Sequence, residues 1–169
     1  MRKGKLENLA AKKLLLMGLV LASVLLQFLI NIDYSRFGYL THVAPYLHLL
    51  SYAFLFAFIY ANRKMPGMVF MGLGIFLNFL VIAANGGTMP VSPAILGLSP
   101  SEIPTSTGDA LHSVATADTR LFFLADIIPL PIPKGTLVSI GDIILGLGLF
   151  YFIQQAMQPR EKNSKIASP

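Results

Sequence analysis

Thr136-Leu137-Val138-Ser139-Ile140-Gly141-Asp142-Ile143-Ile144-Leu145-Gly146-Leu147-Gly148-Leu149-Phe150-Tyr151-Phe152-Ile153 is an apolar run with one charge, Asp142. A helix needs roughly 20 such residues to cross the hydrocarbon of a bilayer. Counting from Thr136 at ~1.5 Å per residue, Asp142 falls about 9 Å below one end, inside the apolar zone. An ionisable side chain there costs several kcal/mol unless it faces protein, water or a partner. Ser139 and Gly146, three before and four after, share its face, so a small polar stripe is predicted to point into a helix bundle.

Three further runs supply that bundle. Residues 14–32, 43–61 and 66–84 carry no charge and, with 136–153, predict an all-α polytopic membrane protein of four transmembrane helices in one domain, 1–169. Pro45 and Pro66 fall in opening turns, where a missing amide hydrogen leaves no bond unmade. The composition agrees: 54% hydrophobic against 12% charged residues, with a mean hydropathy of +0.66, excludes intrinsic disorder. Without cysteine, disulfides, thiolate nucleophiles, iron-sulfur clusters and Cys-ligated zinc are excluded.

Charge placement predicts orientation. Arg2, Lys3, Lys5, Lys12 and Lys13 precede the first run, Arg63 and Lys64 join the second to the third, and Arg160, Lys162 and Lys165 follow the fourth. All ten fall on one side, and Arg36, Arg120 and Lys134 on the other with Asp33, Glu102, Asp109, Asp118 and Asp126. Basic residues favour the cytoplasmic side, so both termini are expected inside the cytoplasmic membrane. The +5 net charge is thus read as topology rather than nucleic-acid binding. The first run is longer than a cleaved signal's apolar core and is expected to be retained.

The outer loop, 85–135, holds seven of the eleven prolines. Ser99 to Gly108 reads as a linker, Asp109 and Asp118 or Thr119 as helix N-caps, and Asn85-Gly86-Gly87 as a helix C-terminal cap. Leu121 to Pro133 is apolar, too short to cross and interrupted by alternate prolines, which predicts a short helical or re-entrant element carrying Asp126. The loop would let Asp126 and Asp142 meet at the membrane boundary. Two adjacent carboxyls cannot both ionise easily, so one can act as general acid while the other activates water. Asp126 could equally cap a turn or pair with Arg120 or Lys134. Asn78 lies a heptad before Asn85 on the face of the third run that also holds Gly74, and a hydrogen bond from Asn78 to Asp142 is expected. His42 and His48 are about 240° apart on a helix and His112 is in the loop, so no metal or haem site is expected, nor any other cofactor.

Two resemblances attach to these motifs. Asn85-Gly86-Gly87-Thr88-Met89-Pro90-Val91-Ser92, Asp126-Ile127-Ile128-Pro129-Leu130-Pro131 and Ser139-Ile140-Gly141-Asp142 resemble a family of small bacterial membrane proteins catalogued as a domain of unknown function. The last two strings also resemble the lipoprotein signal peptidases, four-span aspartyl proteases with cytoplasmic termini. That second resemblance implies catalytic roles for Asp126 and Asp142, with Ser139 standing where those enzymes have asparagine. Asn85, Gly86, Gly87, Ser139, Asn78 and Arg120 are the candidate substrate contacts. The expected partners are membrane lipid and a membrane-anchored peptide or lipoprotein substrate, with the oligomeric state open. The alternative is a small transporter, cation-binding or accessory subunit using Asp142 as its polar site.

Overall fold

A computed structural model describes residues 4–92, 108–131 and 136–158, and it is mainly helical. A short α1 (Leu6–Ala10) precedes α2 (Met17–Arg36), α3 (Ala44–Asn62) and α4 (Met68–Ala84). The connecting segment carries β1 (Met89–Val91), β2 (His112–Val114), a 3₁₀ turn (Phe122–Leu124), β3 (Ile128–Pro129) and β4 (Leu137–Val138), and α5 (Ile140–Ala156) follows. The linker reading of Ser99 to Gly108, up to Thr107, and the candidate cation Lys134 lie outside the described residues, as do the basic residues after Pro159.

Among the described residues, two helices are long and apolar enough to cross a membrane: α2, 20 residues at a mean hydropathy of 1.7, and α3, 19 residues at 1.4. The apolar α4 and α5 have 17 residues each. Large apolar side chains are exposed on all four, among them Leu21, Phe28, Tyr46, Val69, Leu147 and Phe150.

Each helix starts later than its apolar run. Leu16 is left-handed (φ 55°), so α2 begins at Met17 rather than 14, and the Leu15 backbone instead exchanges two hydrogen bonds with the Asn62 side chain. Pro45 is in the first turn of α3 as expected, but Pro66 precedes α4, whose N-cap is Gly67 at φ +83°. The largest shift is in α5. Leu137 and Val138 pair antiparallel with Pro129 and Ile128, so the helix begins at Ile140 and Asp142 sits in its first turn rather than well below its end.

The closest packing is between α4 and α5. Gly67 lies against Gly148 and Gly74 against Gly141, two glycines a heptad apart on each helix running in opposite directions. A Cβ on Gly148 would lie 2.6 Å from Met71 N, and one on Gly74 2.6 Å from Leu145 N. The two backbones therefore touch with no side chain between them, the small-residue packing that brings apolar helices closest. Gly146, expected in the inward stripe, is exposed, and a Cβ there would meet nothing within 4 Å. Three apolar clusters complete the interior: Phe58, Met68, Phe152 and Ala156 at the terminal end, Val81, Ile82, Met89, Leu124 and Ala125 at the opposite end, and Ile30, Ala44 and Leu111 beside it.

Candidate functional site

The site is built at the end of the bundle where the connecting segment folds. Helix α4 stops in a Schellman turn: Gly86 and Gly87 take φ +72° and +89°, and Gly87 N–H donates to Ile82 O at 2.8 Å. Gly87 also packs on Pro45, where a Cβ would lie 2.8 Å from the proline Cα. The chain then runs into β1, which pairs parallel with β2 and, across Val91, bridges to Asp126. The Asp126 backbone is held there, its N–H donating to Pro90 O at 2.9 Å and its carbonyl accepting from Ser92 N–H at 3.1 Å.

From α5, Ser139 and Asp142 form a reciprocal capping box. Ser139 Oγ accepts from Asp142 N–H at 2.9 Å and Asp142 Oδ2 accepts from Ser139 N–H at 3.0 Å, satisfying donors the helix itself leaves open. Asn78 reaches over from α4, its Nδ2 donating to Asp142 Oδ1 at 2.7 Å, while Ser139 Oγ lies 2.8 Å from both Asn78 Oδ1 and Asp142 Oδ2. The single hydroxyl hydrogen serves one of those oxygens at a time. The glycine seam makes this reach possible, because a Cβ on Gly141 would lie 2.7 Å from Asn78 Cγ.

Asp126 and Asp142 line one cavity of about 120 Å³ with Asn78, His48, Tyr52 and His112. One water needs ~10–15 Å³ of such space, so the cavity suits several. Asp126 is 7% exposed and its Oδ1 is buried without a hydrogen-bond partner. Burial, aided by the charge of Asp142 and opposed by His112, pushes the Asp126 carboxyl up to about 6. Its Oδ2 lies 3.9 Å from His112 Nε2, and among the described residues no ion pair joins it to Arg120.

The other candidates divide into two groups. Ser139 and Asn78 hold Asp142. Asn85 holds the segment leading to Asp126: its Oδ1 accepts from Arg120 N–H at 2.9 Å and its Nδ2 donates to Arg120 O and Val81 O. The next residue, Leu121, takes a left-handed φ of 53°, a strained conformation for leucine, and opens the 3₁₀ turn. Gly87 is buried, while Gly86 is exposed with open space around it. Asp109 and Thr119 cap no helix. Asp109 Oδ1 accepts from Leu111 and His112 N–H, and Thr119 Oγ1 accepts from Thr116 N–H. Turns rather than helices follow because the backbone passes straight into β2 or the 3₁₀ segment.

Histidine is what sequence reasoning passed over. His48 is buried, and its Nδ1 lies 2.7 Å from Gly87 O, so that nitrogen is the donor and neutral imidazole would present Nε2 as an acceptor. A signal was available: His48, Ser51 and Tyr52 fall at i, i+3 and i+4 in an apolar helix, and Gln27 of α2 donates to Ser51 at 2.8 Å. His112 is brought in by the β1–β2 pairing. Among the described residues no three His, Asp or Glu side chains are grouped to hold a metal ion.

Residues 11–154 match a family model described as "Family of unknown function (DUF5317)". A protein of Thermotoga maritima described as "Uncharacterized protein" is 35% identical over 122 residues, covering 71% of this chain and 68% of its own. No solved structure matches the chain.

Proposed function

We propose a role for this chain, which belongs to the DUF5317 family of unknown function, from its own residues: an aspartyl hydrolase of the cytoplasmic membrane. It is a single integral domain in which α2, α3, α4 and α5 all cross, with both termini cytoplasmic and the carboxyl cavity at the outer face. The exposed apolar side chains on all four helices support the crossing. At 17 residues, α4 and α5 are about 26 Å long, the lower end of what spans.

The observation that carries the hydrolase reading is the common cavity of Asp126 and Asp142. Asp142, fixed by Asn78 and Ser139, serves as the carboxylate that takes a proton from water. Asp126, held up by burial, serves as the acid that protonates the leaving group. The resemblance of these two strings to lipoprotein signal peptidases supports a membrane-anchored peptide as substrate. It would approach through the adjoining groove of about 570 Å³, lined by Tyr34, Thr41, Pro45, Thr88 and Ser113 among others, which meets the cavity at His112. The test is cleavage of a labelled prolipoprotein by the purified protein in lipid. Asp126→Asn and Asp142→Asn should each lower turnover at least about 100-fold with folding intact. Equal turnover by either variant and the wild type refutes the reading.

A second reading rests on the size of the cavity. About 120 Å³ admits water or a small cation and no peptide in this conformation, which favours a non-enzymatic transporter, cation-binding or accessory subunit with Asp142 as the polar site. It predicts no cleavage by the wild type and loss of proton or cation uptake into vesicles on Asp142→Asn.

A further inference from the structure

Among the described residues, His112 is the one that lines both the outer groove and the carboxyl cavity. Its two ring nitrogens face different acids. Nδ1 lies 2.9 and 3.1 Å from the two oxygens of Asp109, and Nε2 lies 3.9 Å from Asp126 Oδ2. The ring's Asp109 side is fixed by geometry the chain builds twice over, since Asp109 Oδ1 also accepts from the His112 N–H at 2.9 Å. The inner side ends on a carboxyl whose other oxygen is buried and unpartnered. Carboxyl, imidazole, carboxyl is thus a continuous line from groove to interior, with one gap that a water or a small swing of the ring closes.

We propose that His112, oriented by Asp109, is the positioning residue through which Asp126 exchanges its proton with the outer groove; the inference rests on Asp126 being the acid of the site. In discharge, the Asp126 Oδ2 proton moves to His112 Nε2, and the ring releases its Nδ1 proton to Asp109, which gives it to groove water. In recharge, Asp109 returns a proton to Nδ1 while the Nε2 proton passes back to Asp126, leaving the original tautomer. No net charge is created over the cycle, and each proton is accounted for. The other titratable groups facing Asp126 are Asp142 on α5 and His48 and Tyr52 on α3. His48 is the rival path, but its Nδ1 is bound to Gly87 O and His48 does not line the groove.

The test is infrared difference spectroscopy of the purified full chain in lipid nanodiscs, requiring no substrate. The carboxylic C=O band lost in Asp126→Asn identifies the Asp126 proton, and the rate at which that band falls after a rapid rise in pH gives the rate of proton release. His112→Gln should slow that fall at least about tenfold. Asp109→Asn should slow it less, and His48→Gln should leave it at the wild-type rate. A wild-type release rate in His112→Gln, slowing confined to His48→Gln, or no Asp126-dependent band at any pH overturns the proposal. The hydrolase reading fails separately, on the cleavage assay, and unaltered turnover there leaves the exchange result standing.

Discussion

Replacing Asp126 by asparagine is expected to stabilise the protein near neutral pH. The carboxyl is buried, one oxygen has no partner, and Asp142 faces the same cavity, so the charged form is disfavoured and titration moves from 3.8 up to about 6. A folded-state value above the unfolded one means that the folded chain binds more protons through that interval. Stability linked to this group is therefore fully present below pH 3.8 and is lost as pH rises through about 6. The gap corresponds, at ~1.4 kcal/mol per pH unit, to about 3 kcal/mol at most. Asparagine keeps the shape and cannot ionise, so it removes that loss. The assay is thermal unfolding in detergent from pH 3.5 to 8, for wild type and Asp126→Asn, read as the difference between the two. The wild type should fall relative to the variant across the interval and level off above it. A flat difference, or a wild type that gains on the variant as pH rises, would refute the placement of a buried Asp126 carboxyl beside that of Asp142.

Gly74→Ala and Gly148→Ala should each cost about 1–3 kcal/mol in unfolding experiments, because the new methyl meets backbone rather than a movable side chain, whereas Gly146→Ala should stay within about 0.5 kcal/mol. Ser139→Ala removes the acceptor for the Asp142 N–H and a donor to the Asn78 and Asp142 oxygens, and should lower stability by about 1–2 kcal/mol in the same measurement. Asn85→Ala releases the Arg120 backbone at both its N–H and its carbonyl, so limited proteolysis should cut faster near Arg120 and Leu121 while the helices stay protected.

The helices were legible because uninterrupted apolar length is a local property, visible residue by residue. Their starts were not. Leu16 and Leu121 adopt left-handed backbone that leucine rarely takes, and such conformations are imposed by contacts distant in sequence. Thr136 to Val138 read as helix because they are apolar, yet tertiary pairing with Ile128 and Pro129 draws two of them into a strand. At the site, Asp142 announced itself as a charge in an apolar run, and Asn78 could be placed opposite it from heptad spacing. Of the histidines, His48 left a signal in its helical spacing to Ser51 and Tyr52, and His112 left none. His48 and His112 come together only through a parallel pairing of two three-residue strands, too short to leave a periodic signal. The inward glycine of α5 was misread: Gly146 shares the face of Asp142, but the seam runs through Gly141 and Gly148, which a search for matched heptads on two helices would have found.

With backbone seated on backbone, α4 and α5 form one stiff beam whose halves cannot slide or part without losing contact along their whole length. The beam carries Asn78 and Asp142 as fixed furniture. Whatever widens the cavity must therefore swing from the other wall, where α2 and α3 meet through side chains such as Gln27 and Ser51. That wall is the jaw and the glycine-locked pair is the anvil, so a crosslink between α3 and α4 should freeze admission where one between α4 and α5 changes nothing.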